Sequence, residues 1–201
     1  MEIIFATGNA HKAIEAQKAL GDTFTLIMPK ELGLTEEIPE NGDTLQANAI
    51  EKAEYLWKKF GKNCFADDTG LEVDALGGAP GVYSARYAGP EKGSEANMDK
   101  LLSELQAAEQ TGGEISRAAR FRTVVALILD GELHLFNGVL EGRIAKERSG
   151  NQGFGYDPVF IPDGYSKTLA EISLEEKNAI SHRGKAMRAL AEFLQCLPKA
   201  R

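Results

Sequence analysis

Cysteine is scarce in this sequence of 201 residues, which contains only Cys64 and Cys196. The two lie far apart and show no spacing typical of metal ligands. This excludes a disulfide framework and a cysteine-based zinc site. It agrees with a reducing compartment, and we expect a cytoplasmic protein.

Long apolar runs are also missing. The N-terminal run from Glu2 to Ala6 is too short for a signal peptide or a membrane span, and no basic segment precedes it. We therefore expect no membrane association.

An excess of positive charge is absent too. Lys and Arg number 23 against 30 Asp and Glu, a net charge of -7. This argues against binding to a nucleic acid polymer, because such binding depends on cations that displace counterions from phosphates. A free nucleotide needs only a few local donors and a metal, so nucleotide binding stays possible.

What is present predicts a single α/β domain over residues 1–201, with no internal repeat. Apolar and charged residues make up 43% and 26%, as in ordinary soluble domains. Hydrophobic periodicity, together with glycines that end the periodic runs, defines the helices and strands. We expect a strand at 2–6, a helix from Ala10 that closes at Gly21, a helix at about 44–60 capped by Asp43 or Thr44, strands at 63–66 and 71–76, an irregular binding loop at 77–89, a helix at about 95–108, a β-ribbon at about 118–147 that turns at Asp130-Gly131, and a helix at 174–197.

The segment TGNAHK, Thr7 to Lys12, joins the first strand to the first helix. Free backbone N–H groups and the positive end of the helix dipole can bind phosphate oxygens there. The spacing is neither GxxxxGK[ST] nor GxGxxG, which excludes a P-loop and a Rossmann site. Taken alone, the segment is better explained by a capped surface helix with a solvated lysine.

The segment FADDTG places Asp67 and Asp68 at the predicted end of a buried strand. Neighbouring strand residues point to opposite faces, so one carboxylate can face a pocket and the other a structural partner. Mg²⁺ commonly takes one or two carboxylates plus substrate phosphates, and Glu40 in the loop IPENGD is a candidate second ligand. The alternative is a turn formed by Asp beside Gly70.

Two further segments carry side chains suited to a nucleoside. GFGYDPVF sets Phe154 and Tyr156 around a glycine, where an aromatic face can stack on a base and Asp157 can accept a base N–H. EKNAISHRGKA gathers donors at the start of the last helix, and His182 with Arg183 could donate to a purine 6-keto oxygen. Each segment also fits an ordinary turn or a polar surface.

Taken together, these segments resemble the inosine triphosphate pyrophosphatase family over almost the whole chain. The resemblance rests on five motifs in the expected order: TGNAHK, NAIEKA, FADDTGLEVDALGGAPGVYSARYAG, GFGYDPVF and EKNAISHRGKA. It implies a mixed twisted sheet flanked by helices, in an elongated domain of two lobes with a central cleft; the β-ribbon lobe would span about 118–160. It also implies a homodimer, for which the loop from Tyr83 to Tyr87 is a candidate contact.

The family's reaction is the hydrolysis of inosine, deoxyinosine or xanthosine triphosphate to the monophosphate and pyrophosphate, with Mg²⁺. The resemblance implies that Asp68 is the proton acceptor and that Glu40 and Asp68 hold the metal. The resemblance assigns these roles to Asp68 and not to Asp67, because the family pattern places the metal ligand and proton acceptor directly before Thr69. The implied substrate-binding residues are Thr7, Gly8, Asn9, Ala10, His11, Lys12, Lys52, Thr69, Phe154, Gly155, Tyr156, Asp157, Lys177, His182 and Arg183.

One position departs from the family. Many bacterial members resemble ENAxxKA in the second helix, whereas this chain has Ala47 before Asn48, which leaves Glu40 as the better second metal ligand. Two alternative functions stay open. One is an aspartyl-nucleophile phosphatase, although its D-x-D spacing is absent; the other is a regulator that binds a purine nucleotide without turnover.

Overall fold

The computed structural model describes residues 1–8, 10–91, 93–112 and 115–197. The strands in these ranges are β1 (Glu2–Phe5), β2 (Thr25–Ile27), β3 (Cys64–Val73), β4 (Pro80–Gly81), β5 (Ala118–Leu129), β6 (Glu132–Ile144) and β7 (Phe160–Pro162). The α-helices are α1 (Ala10–Leu20), α2 (Leu45–Phe60), α3 (Ser94–Gly112), α4 (Leu174–Ile180) and α5 (His182–Gln195). No helix among the described residues is long and apolar enough to cross a membrane.

The described strands form one mixed sheet. Its order is β2-β1-β3-β5-β6-β7, and β4 pairs with β3. β1 is parallel to both β2 and β3, whereas β3 with β4 and β6 with β7 are antiparallel. The predicted fold class, a mixed sheet with helices packed on it, is confirmed.

The chain divides into two compact units. Unit 1 comprises Met1–Asp68, Thr123–Gly138 and Arg183–Arg201, and unit 2 comprises Thr69–Arg122 and Val139–His182. Each has its own apolar cluster, in which helices cover one face of the strands. Representative buried members are Phe5, Phe65, Leu127 and Leu190 in unit 1, and Leu71, Leu101, Phe121 and Phe160 in unit 2.

Helix α2 agrees closely with its sequence signals. The Thr44 hydroxyl accepts the Ala47 N–H at 3.0 Å and so caps the first turn. Gly61 ends the helix with φ 59°, a conformation that glycine adopts without strain. The β-ribbon is confirmed as well, since Asp130 and Gly131 have φ of 50° and 89° in the turn between β5 and β6.

The predicted strand end at Asp67 was wrong, because β3 continues to Val73. β1 pairs with the first part of β3 through Phe5 and Phe65, and β4 pairs with its later part through Leu71 and Gly81. The two aspartates thus lie between these two pairings, beyond the last residue of β1. Asp and Gly are typical of turns, but the pairing of β3 with β1 and β4 carries the strand through this segment.

The predicted C-terminal helix is two helices. Ser173 and Glu176 form a capping box at the start of α4, and Ser181 is extended with ψ 144° before α5 begins. This break gives α5 its own N-terminus at His182.

Candidate active site

Asp67 and Asp68 point to opposite faces of β3. Phe65, on the same face as Asp67, packs in the cluster that includes residues of α1 and α5. Cys64, on the same face as Asp68, lies under α2, with its Sγ 3.3 Å from the Ala53 carbonyl oxygen. The alternation of a strand therefore directs one carboxylate toward α1 and α5 and the other toward α2.

Asp67 is an enclosed anion. Its side chain is 1% exposed, and its carboxylate accepts Lys12 Nζ at 3.0 and 3.2 Å and Arg183 Nε at 3.4 Å. Burial opposes ionisation, but Lys12, Arg183 and Lys52 outweigh it and lower the pKa of Asp67 to about 2. Such a carboxylate anchors cations and is a poor proton acceptor.

Asp68 has the opposite electrostatic character. Its side chain is 16% exposed; Oδ1 lies 3.3 Å from Lys52 Nζ, and Oδ2 accepts Asn48 Nδ2 at 3.2 Å. Burial, with Glu40 nearby, raises the pKa of Asp68 even though Lys52 and Asn48 act against the rise. A more basic, partly accessible carboxylate is the better proton acceptor of the pair.

Lys52 connects Asp68 to Glu40. Its ammonium donates to Glu40 Oε1 at 2.6 Å, to the Asp67 carbonyl oxygen at 2.7 Å and to Asp68 Oδ1 at 3.3 Å. Burial lowers its pKa, but Asp68 and Glu40 more than compensate, so the pKa of Lys52 is raised. A permanently charged ammonium thus lies within hydrogen-bonding distance of both carboxylates.

This donor set fits a hard divalent cation. Glu40 and Asp68 lie close together, since both contact one ammonium, and the Glu40 side chain is 41% exposed. Among the described residues, no group of three or more His, Cys, Asp or Glu side chains could hold a metal. A cation held by this pair would complete its shell with water and substrate phosphates, which is the usual arrangement for Mg²⁺.

The segment predicted to bind phosphate leads from β1 into α1. Thr7 is nearly buried, Gly8 is exposed, and Lys12 lies in the first turn of α1 with a side chain that is 28% exposed. Asn9 lies outside the described residues, as do the side chains of Ala10 and His11. Within unit 1, the structure therefore brings four charged residues around Asp67 and Asp68: Lys12, Glu40, Lys52 and Arg183.

In unit 2, residues 153–157 form what we call the aromatic loop. Phe154 is 68% exposed, and Lys177 Nζ lies 4.6 Å from the centroid of its ring. Tyr156 is buried, and its hydroxyl donates to the Ser84 carbonyl oxygen at 2.8 Å. Phe154 therefore offers an open aromatic face, whereas Tyr156 anchors the loop.

The aromatic loop is shaped by Asp157. This buried carboxylate accepts the Phe154 N–H at 2.7 Å and pairs with Lys177 at 2.5 Å through the same Oδ2. Gly153 has φ 79°, and a side chain there would overlap the Asp157 carboxylate. Gly155 also has a positive φ of 63°, so both glycines adopt the backbone conformation that this tight loop requires.

His182 and Arg183, adjacent at the start of α5, make different contacts. The His182 ring stacks on Phe121 with centroids 4.8 Å apart and planes inclined by 15°. Arg183 reaches the Asp67 carboxylate. Thr69 follows Asp68 directly and is half-buried.

Comparison with known proteins decides the family. A model of the Ham1 family matches residues 3–193. A protein of Flavobacterium psychrophilum named dITP/XTP pyrophosphatase is 49% identical over 97% of this chain and 100% of its own length. A Bacillus subtilis protein of the same name is 46% identical over 96% of this chain and 97% of its own. The structure of a HAM1 protein from Coxiella burnetii has a TM-score of 0.91 at 40% identity, covering 97% of this chain and 98% of that one.

The chain belongs to the Ham1 family.

The sequence did not predict two contacts in this Ham1-family chain. Asn48 hydrogen-bonds to Asp68, a contact that its place in a helix motif does not predict. Asp157 Oδ2 accepts the Phe154 N–H and pairs with Lys177; its contact with a base N–H stays a prediction. The helical spacing of Asn48 and Lys52 could have shown that both face the same strand.

Proposed function

We propose that this Ham1-family chain hydrolyses inosine, deoxyinosine or xanthosine triphosphate to the nucleoside monophosphate and pyrophosphate, clearing them from the nucleotide pool. The observation that carries the proposal is the arrangement of Asp68, Glu40 and Lys52, which combines a raised carboxylate pKa with a pair of hard oxygen ligands. Relatives named dITP/XTP pyrophosphatase support the substrate class.

The proposed chemistry places the triphosphate beside Asp68. Asp68 accepts the proton of the attacking water, while Lys12 and Lys52 bind phosphate oxygens together with the segment from Thr7 to His11 and with Thr69. Mg²⁺, held by Glu40 and Asp68, would neutralise charge that develops on the phosphates. Asp67 keeps Lys12 and Arg183 in place through its hydrogen bonds. No covalent nucleophile is needed.

The proposed nucleoside contacts come from the aromatic loop, from Lys177 and from the start of α5. Phe154 stacks on the purine, Gly155 and Tyr156 shape the loop, and Lys177 is held by Asp157 beside the Phe154 ring. His182 and Arg183 supply donors for a 6-keto oxygen, which inosine and xanthosine carry and adenosine lacks. We also propose a homodimer located in the cytoplasm.

A product-resolved assay tests the function. The purified protein is incubated with Mg²⁺ and each of inosine, deoxyinosine, xanthosine, adenosine and guanosine triphosphates. We expect pyrophosphate and monophosphate from the first three. Orthophosphate release would support the phosphatase alternative, and binding without any product would support the regulator.

Phe154→Ala should weaken substrate binding without loss of stability. Stacking on an aromatic side chain contributes about 1–3 kcal/mol per base, so KM for inosine triphosphate should rise by at least about fivefold. The exposed ring contributes little to the core, and the melting temperature should stay unchanged. Leu174→Ala, another exposed apolar residue of unit 2 at 64%, is the matched control. An unchanged KM in Phe154→Ala would rule out base stacking by this ring.

A further inference from the structure

Helix α2 carries a continuous row of polar residues on one face. Asn48, Glu51, Lys52, Tyr55 and Lys59 recur at spacings of three and four, which places them along one side of a helix. The apolar stripe of the same helix, Leu45, Ala49, Ala53 and Leu56, is buried on another side. We call the first set the polar stripe of α2.

The polar stripe holds the loop that carries Glu40, residues 36–42. Glu36 accepts the Tyr55 hydroxyl at 2.9 Å and pairs with Lys59. Closer to Glu40, the Glu51 carboxylate accepts both the backbone N–H of Asn41 at 2.6 Å and its Nδ2 at 2.9 Å. The loop is thus fastened to α2 on both sides of Glu40.

Asn48 joins this loop to β3. Its side chain is almost fully buried at 2% exposure; Oδ1 accepts the Gly42 N–H at 2.7 Å, and Nδ2 donates to Asp68 Oδ2 at 3.2 Å. A Cβ on Gly42 would come within 2.6 Å of the Ala47 Cβ and 3.0 Å of Asn48 Oδ1. Only glycine permits this close approach of the loop to the helix.

We infer that Asn48 and Glu51 are positioning residues that set the affinity of the Glu40–Asp68 pair for a divalent cation. Neither is a ligand in this assignment. Asn48 orients Asp68 and fixes Gly42, and Glu51 fixes Asn41, so Glu40 is held between two anchored neighbours. Hydrogen-bonded partners behind metal ligands typically change metal affinity by about 10–100-fold when removed.

The contacts argue for positioning more than for stability. Asn41 is exposed and Glu51 is half-buried, and solvent near such polar contacts reduces what they contribute to folding. Both carboxylate oxygens of Glu51 nevertheless accept hydrogen bonds from Asn41, the residue next to Glu40. Loss of these bonds frees the loop and lets Glu40 move away from Asp68, while the apolar side of α2 stays packed.

The test compares Glu51→Ala with Glu54→Ala, a matched control on the same helix whose carboxylate pairs with exposed Lys58 at 3.0 Å. Mn²⁺ serves as the probe because it prefers the same oxygen ligands as Mg²⁺, and its binding is followed by electron paramagnetic resonance. We expect Glu51→Ala to bind Mn²⁺ about tenfold more weakly than the wild type, and Glu54→Ala to bind it equally well. Asn48→Ala should weaken Mn²⁺ binding at least as much.

Kinetics supply the second readout, which rests on the proposed function. The Mg²⁺ concentration for half-maximal pyrophosphate release should rise in Glu51→Ala by the same factor as the Mn²⁺ dissociation constant, with kcat restored at saturating Mg²⁺. Unchanged Mn²⁺ affinity in both Glu51→Ala and Asn48→Ala would overturn the inference, as would a wild type that binds no Mn²⁺. A wild type that binds Mn²⁺ but releases no pyrophosphate would overturn only the proposed function.

Discussion

Asp68→Asn should reduce pyrophosphate release by about 10²–10⁴-fold, the range that a positioned general base contributes. The amide cannot accept the proton of the attacking water, and it removes one of the two carboxylates that would hold Mg²⁺. Steady-state kinetics with inosine triphosphate at saturating Mg²⁺ measure the loss. Glu72→Gln, which changes another carboxylate of β3, should retain activity and serves as the control.

The same variant should unfold at a temperature no lower than that of the wild type. A carboxyl group with a raised pKa is less favourable as an anion in the folded state than in the unfolded state, so at neutral pH its charge reduces stability. Removing that charge relieves this penalty. Full activity in Asp68→Asn would exclude Asp68 as the proton acceptor. Loss of activity with a large fall in melting temperature would indicate a structural role.

The parts of the fold that depend on local chemistry could be predicted from the sequence. Thr44 and Gly61 bound α2 as their capping preferences require, and Asp130-Gly131 turns the β-ribbon. The path of β3 could not be predicted, because it depends on pairing with β1 and β4, which are distant in the chain. Long-range pairing overrode the turn preference of Asp67 to Gly70.

In the candidate site, too, some features could be predicted from the local sequence and others depend on distant residues. Adjacent carboxylates on a strand had to face opposite ways, but local sequence could not distinguish Asp67 from Asp68. The distinction comes from the helices on each face: Lys12 and Arg183 surround Asp67, whereas Asn48 and Lys52 contact Asp68. The pKa values of the two groups shift in opposite directions as a consequence.

Asp67→Asn, unlike Asp68→Asn, should lower the stability of the folded protein. Removing the anion from a buried ion cluster leaves Lys12 and Arg183 without their carboxylate, a change that typically costs about 3–5 kcal/mol. At this chain length, each kcal/mol corresponds to a fall of about 2–4 °C in melting temperature. Urea unfolding and calorimetry measure both quantities.

The pH dependence has a defined sign. A lowered pKa stabilises the folded state above the ordinary value of 3.8, and this contribution is lost as the pH falls through about 2. The gap in stability between wild type and Asp67→Asn should therefore be constant across about pH 5–8. A gap that changes within that interval would show that another group controls the cluster.

A double-mutant cycle of Asp67→Asn with Lys12→Met separates the ion pair from other effects of the substitution. Because the two side chains contact each other at 3.0 Å, their effects on the free energy of unfolding should not add, and the second change should cost less in the variant than in the wild type. Activity will also fall in Asp67→Asn, since Lys12 loses the contact that directs it, but raised Mg²⁺ will not restore it. If Asp67→Asn instead kept wild-type stability and lost all turnover, Asp67 would be the proton acceptor and the two aspartates would exchange roles.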